Sequence, residues 1–233
     1  MNVISAVVES DSLWQGIWHD DLVKRTVFHE AGHAVAIILG NRSKDLPPVF
    51  FQIHLGCFAK KTEQATMARS GHKNLATVQG GHLLDNLPVT VLECSGYYSP
   101  QEKNAYQAAV EADVFNLLVG PLAEARYIAE RDGEVFCHDL LPLTILARHY
   151  GGEIDINQCM AYLDGLIADP GLKTQKLQEI YRQACEFVKN SWNWRIIEHL
   201  VKHLLEAQPE SIDCEHLLLL IEQYRASRPL RAA

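Results

Sequence analysis

Residues 26–39, TVFHEAGHAVAIIL, hold the pattern on which the fold and the chemistry of this 233-residue chain both turn. Val23, Val27, Ala31, Ala34 and Ile38 recur at three- and four-residue spacing and form one apolar stripe, so a helix is expected over residues 20–39. Asp20 or Asp21 is its expected cap, and Gly40-Asn41 its expected left-handed stop. At 1.5 Å per residue such a helix is roughly 28 Å long. The same helix carries His29-Glu30-Ala31-Gly32-His33. Residues four apart lie one turn above each other, so both imidazoles can reach one ion. Zinc accepts such nitrogen ligands and, for catalysis, needs a third protein ligand and one open position. Glu30, beside the first histidine, is placed to take a proton from the water that the metal activates. A chance H-E-x-x-H in this composition is expected at roughly 0.04 occurrences. The ordinary alternative is a surface helix with two unrelated histidines. Gly32 argues against it, because a glycine inside a helix costs about 1 kcal/mol unless something approaches closely.

Outward from this segment, Pro47-Pro48 breaks the helical pattern and VFFQIHLGCF, residues 49–58, reads as a strand. The preceding prolines suggest an edge strand. Residues 60–88 are polar and glycine-punctuated and read as a long loop or a loose hairpin, with a second strand over 89–94. Ser99-Pro100-Gln101-Glu102 combines a cap, a proline at the first helical position and a glutamate that can bond back. The helix it starts is expected to reach Val119, to kink or break at Gly120-Pro121, and to resume over 122–131. A further helix follows His149-Tyr-Gly-Gly-Glu-Ile-Asp155, burying Ile156, Met160, Leu163 and Ile167 and ending at Asp169-Pro170-Gly171. Three more helices are expected over 173–189, 192–207 and 214–225, with Ser191 and Asp213 as caps. No repeat or linker divides the chain, so residues 20–233 read as one mostly α domain with a small β-sheet, preceded by an extension over 1–19.

The net charge of −8 supplies no basic field for nucleic acid or an anionic membrane. Six cysteines without a C-x-x-C pair suit free thiols. No apolar run approaches the ~20 residues of a membrane helix, and the first residues lack a signal-peptide pattern, so a cytoplasmic location is expected.

The third ligand is left open by local reasoning among Glu124, Asp155, Glu153, His149 and the pair His138-Asp139. Asp155 could equally cap a helix, and Glu124 could be a helix-surface residue paired with Arg126 or Arg131.

In its context, TVFHEAGHAVAIIL resembles the start of the peptidase domain of the FtsH family, ATP-dependent zinc proteases anchored in membranes. LLVGPLAEARYIA looks like that family's segment with a helical A-E pair, which puts Glu124 on its glutamate. GGEIDINQCMAYL is similar to the segment whose aspartate, four residues after a glycine, supplies the third zinc ligand; here these are Gly151 and Asp155. The residues from IYRQACEF onward look like its closing helices, so the resemblance spans about 20–225. It implies a zincin-like helical fold, zinc held by His29, His33 and Asp155, and Glu30 as base. On that basis a metalloendopeptidase acting on unstructured polypeptide is expected, with Glu124 steadying a ligand histidine through its other ring nitrogen. The substrate is expected to lie extended along the 49–58 strand, since main-chain pairing holds a peptide without demanding a sequence. Two departures stand out: about fifteen additional residues near 136–150, and no G-x-x-x-x-G-K-[ST] loop or AAA+ module. The chain looks like the peptidase half alone, fed by a separate ATPase or limited to open chains, with a homo-oligomer allowed. The rival expectation is a regulatory or binding protein that keeps the fold, with or without the metal, and not the activity.

Overall fold

The computed structural model describes residues 4–56, 75–84, 99–137 and 141–227, with side chains from residue 20 onward. Helix α1 runs over Ile4–Val35, continues as a π-helical turn over Ala36–Gly40 and ends in the short α2, Asn41–Ser43. Strands β1 (Phe51–Leu55) and β2 (Ala76–Gly80) follow. Next come α3 (Pro100–Arg131), α4 (Leu143–His149), α5 (Glu153–Leu166), α6 (Pro170–Lys189) and α7 (Ser191–Ala207). Strand β3 (Ser211–Asp213) leads into α8 (Cys214–Ser227). The architecture is mostly α with a three-stranded antiparallel sheet in the order β2-β1-β3.

The core forms where α1 crosses α3. Val27, Ala31, Ala34 and Val35 of α1 meet Leu118, Val119, Leu122 and Ala123 of α3, and all are fully buried. Gly32 is explained here: a Cβ on it would lie 2.8 Å from Ala123 Cβ and 3.0 Å from the Val119 carbonyl. The two helices therefore approach closely, without spending a metal site on that glycine. Phe28 locks the crossing by stacking on Tyr127 at 4.3 Å and on Trp194 of α7 at 5.4 Å. Around this crossing, α3 also packs on α5 and α6. Among the described residues no helix is long and apolar enough to cross a membrane.

Several sequence expectations are corrected. Helix α1 begins at Ile4, so neither Asp20 nor Asp21 caps it, and Asp21 instead pairs with Arg131 at 2.7 Å. Gly16 does not stop that extension, since one glycine costs only about 1 kcal/mol. Gly40 and Asn41 are right-handed, and the first left-handed residue after them is Asp45, φ 53°. Gly40 serves contact rather than turning, because a Cβ there would meet the Phe115 ring at 2.8 Å. Gly120-Pro121 does not end α3. Pro121 removes one helical N–H, but the flanking residues are buried on both sides and hold the helix through it. Asp169-Pro170 starts α6 rather than closing α5: the Asp169 carboxylate accepts the Leu172 N–H. Asn190, not Ser191, caps α7, while Asp213 does cap α8 by accepting the His216 N–H. The capping box at Ser99 and Glu102 is present as expected.

The sheet departs most. β1 is the central strand, because Pro47-Pro48 lie before it and leave its own donors intact. It thus has no edge along which a peptide could lie. The edge strands are β3 and β2; β2, inside the stretch read as loop or loose hairpin, pairs with β1 from Phe51↔Gly80 to Leu55↔Ala76. The strand expected over 89–94 lies outside the described residues.

Candidate metal centre and its cleft

One turn of α1 presents His29, Glu30 and His33, and the neighbouring helices bring the rest. His29 Nε2 lies 3.1 Å from Asp155 Oδ2, and His33 Nε2 lies 3.7 Å from Asp155 Oδ1. These three side chains are the one metal-competent His/Cys/Asp/Glu group among the described residues, with donor atoms within 4.8 Å of one another. The outer ring nitrogens are held from α3: His29 Nδ1 is 3.1 Å from Glu124 Oε2, and His33 Nδ1 is 2.9 Å from the Asn116 carbonyl. Acceptors at both Nδ1 atoms favour rings with Nδ1 protonated, which turns Nε2 of each toward Asp155 as the atom a metal could take.

Asp155 reaches the histidines because of the turn before α5. Gly152 is the N-cap of α5, so Asp155 occupies the third helical position and is not a cap. Gly151 adopts φ +66°, a left-handed conformation natural to glycine. A Cβ there would press within 3.2 Å of Glu124 Oε2 and 3.3 Å of His29 Nδ1. Across the cleft floor, a Cβ on Gly120 would sit 2.3 Å from His33 Nε2. The glycine of the Gly120-Pro121 pair thus makes room for an imidazole.

Electrostatics show how strongly these groups depend on one another. Burial opposes charge on His29, yet its bonds to Asp155 and Glu124 outweigh it and hold the imidazole well above its ordinary 6.5. Burial would raise the Asp155 carboxyl, but His33 and His29 hold it below the ordinary carboxylate range. The donor set suits a dication. Two imidazoles and a carboxylate form a typical zinc set, and their donor atoms lie within 4.8 Å of one another. With neutral imidazoles, Glu30, Glu124 and Asp155 against Arg25 leave two negative charges, which one divalent ion balances.

Glu30 turns toward the sheet, where its Oε2 accepts the Val78 N–H at 2.7 Å. Just beyond the two ends of β2, Leu75 bonds to Gly56 and Gly81 to Phe50, and strand alternation turns the N–H and C=O groups of Ala76, Val78 and Gly80 to the side of β2 away from β1. That edge, α1 and the start of α5 enclose a cleft of about 710 Å³ that reaches His29, Glu30, His33 and Asp155.

The remaining sequence candidates are placed as follows. Glu124 is buried and bonds to His29 and Arg25, whereas Arg126 pairs with Glu130 and Arg131 with Asp21 and Asp132. The helix-surface reading of Glu124 is therefore set aside. Glu153 and His149 are exposed and stand outside the cluster. His138 and Asp139 lie outside the described residues. Sequence reasoning missed Arg25, Asn116, Gly120 and β2. Arg25 had a signal, standing one turn before His29. Gly120 had one too, as a glycine interrupting a helical pattern. The Asn116 contact is made by a backbone carbonyl, which no side-chain pattern announces. Comparison with protein-family models, curated proteins and solved structures returns no match for this chain.

Proposed function

We propose that this chain is a zinc-dependent metalloendopeptidase of the FtsH type, a peptidase domain that hydrolyses unstructured polypeptide. The observation that carries the proposal is the convergence of His29, His33 and Asp155 beside Glu30, in a cleft bordered by a strand edge that no other strand among the described residues covers. His29 and His33 through Nε2, and Asp155 through its carboxylate, would hold the zinc, while Glu124 steadies His29 from behind. The metal when bound supplies Lewis acidity, polarising a peptide carbonyl and making water a stronger acid.

The chain's own residues do the rest. An extended substrate lies along β2, pairing its main chain with Ala76 and Gly80, a mode that reads few side chains. Glu30 Oε2 is held by Val78, so Oε1 takes the proton as the water oxygen bonds to the carbonyl carbon. The same carboxyl returns that proton to the amide nitrogen as the C–N bond breaks, leaving a carboxylic acid and an amine.

The test is zinc content and casein hydrolysis for the wild type and Glu30→Gln. The expected result is about one zinc in both proteins and hydrolysis in the wild type alone. No zinc at neutral pH, even when supplied, would end the proposal. Zinc bound with casein intact at every pH would assign the chain to the non-hydrolytic class.

A further inference from the structure

We infer that Arg25 is a positioning residue that sets the metal affinity of the centre, by tying the carboxylate behind His29 to the turn that presents Asp155. The inference rests on the metal reading above and deepens it.

Arg25 stands one turn before His29 on α1. Its Nε and one terminal nitrogen both reach Glu124 Oε1, at 2.9 and 2.8 Å, while Oε2 of the same carboxylate faces His29 Nδ1 at 3.1 Å. The terminal nitrogen also donates to the His149 carbonyl at 2.9 Å. His149 is the last residue of α4, where carbonyls lack helical partners. From it the chain passes through Gly151, with φ +66°, into α5, and Asp155 follows in the first turn. One guanidinium therefore touches both routes to the ion: the one through Glu124 to His29, and the one through the 149–152 turn to Asp155. Arg25 and Glu124 come from α1 and α3, His149 from α4, so no single helix could set this spacing alone.

The geometry favours arginine. A planar fork can bond a carboxylate and a carbonyl at once, whereas a lysine ammonium offers a point charge on a flexible stem. Glu124 is also buried, at 6% side-chain exposure, and a buried carboxylate that loses its hydrogen-bond donors turns toward other partners, which loosens His29.

Two roles for Arg25 have opposite signs. A positive charge acting only on the ion repels it, so its removal would tighten metal binding. A positioning role predicts weaker binding on removal. Pairing with Glu124 at 2.8 Å cancels most of the guanidinium's field at the ion, so positioning should win.

The experiment titrates the full chain with cobalt and with zinc, reading cobalt d–d absorption and zinc affinity by chelator competition. Arg25→Met, which keeps the stem, should weaken both metals about 10- to 100-fold and alter the cobalt spectrum. Arg25→Lys should recover only part of the loss. Adding Arg25→Met to Glu124→Gln should weaken binding further, yet by less than the two single losses combined, because the two changes share the Glu124 contact while the His149 contact belongs to Arg25 alone. Unchanged or tighter binding in Arg25→Met, or full recovery by Arg25→Lys, would overturn the inference, as would effects that simply add. If Arg25→Met does not fold, Arg25→Lys still decides, since wild-type affinity in it contradicts the need for a fork. A wild type that binds neither metal overturns the metal reading itself, a different result from a wild type that binds while Arg25→Met binds equally well.

Discussion

The Glu30 carboxylate accepts the Val78 N–H at 2.7 Å, which ties the residue beside the first metal-site histidine to the outer edge of the sheet. Val78 makes no ladder bond to β1, so this amide can be removed without unpairing the strands. Val78→Pro should keep zinc affinity within about twofold and lower kcat at least tenfold, toward the 10²–10⁴ contribution of a well-placed base. Thr77→Pro, which deletes a donor facing β1, should instead lower the melting temperature. Steady-state kinetics that leave Val78→Pro at the wild-type kcat would remove the role assigned to this contact.

If the proposed zinc binds, protons and the ion compete for His29. Because the metal-free imidazole titrates well above 6.5, zinc must displace a proton at neutral pH. Calorimetry at pH 7 in buffers of different ionisation enthalpy should show about one proton released per zinc bound. Release near zero would mean that His29 is neutral in the metal-free protein.

The same shifts set opposite pH trends for the two forms. His29, raised in the fold, stabilises the metal-free protein fully below its unfolded pKa near 6.5, and that share is lost as pH rises through the raised value. Asp155, depressed in the fold, adds stability above the ordinary carboxylate value near 4 that is lost as pH falls through its folded value. Metal-free protein should therefore melt highest between about pH 4 and 6.5, other groups being equal. Zinc stabilisation should grow as pH rises through neutrality. Thermal melts with and without chelator test both trends, and parallel curves would contradict them.

Ligand replacement should be graded. Asp155→Ala removes one of three donors and should weaken zinc by more than 100-fold, whereas Glu124→Gln leaves the donors in place and should cost about 10- to 100-fold. Gly120→Ala should act like a ligand loss, since its Cβ would stand 2.3 Å from His33 Nε2. Equal zinc affinity in Gly120→Ala and the wild type would show that α3 can yield at this point.

On the proposed function, a substrate must offer an open segment to pair along β2. A folded protein, stable by some 5–15 kcal/mol, rarely does so. Denatured casein should be cut and a stable folded reporter spared, with ATP making no difference to the purified chain. ATP-dependent degradation of the reporter by this chain alone would require a nucleotide site, whereas a requirement for an added ATPase would identify a partner.

The sequence made the helices legible because their apolar periodicity and caps are local. Ser99 with Glu102, and Asp213 with His216, are contacts three residues apart. Within the site, His29 and His33 were readable from spacing alone. Asp155 was not, because its meeting with His29 across 126 residues depends on how α5 packs; only the family resemblance singled it out. β2 escaped because the Ala-Thr-Val-Gln-Gly segment is short and half polar, and its pairing with β1 supplies what its own sequence lacks. Gly40 and Gly120 look like turn residues in one dimension. Both prove to be spaces left for a neighbouring ring.

The two imidazoles donate their outer hydrogen bonds to a single helix, at Asn116 and Glu124, two turns apart. That common support makes the coordinating side a property of the scaffold and not of the ion. A chelator should then strip the metal and leave the far-ultraviolet signature of the helices unchanged, unlike a zinc finger, which unravels. Added zinc should rebuild the site at the speed of ligand exchange, with no refolding phase in between.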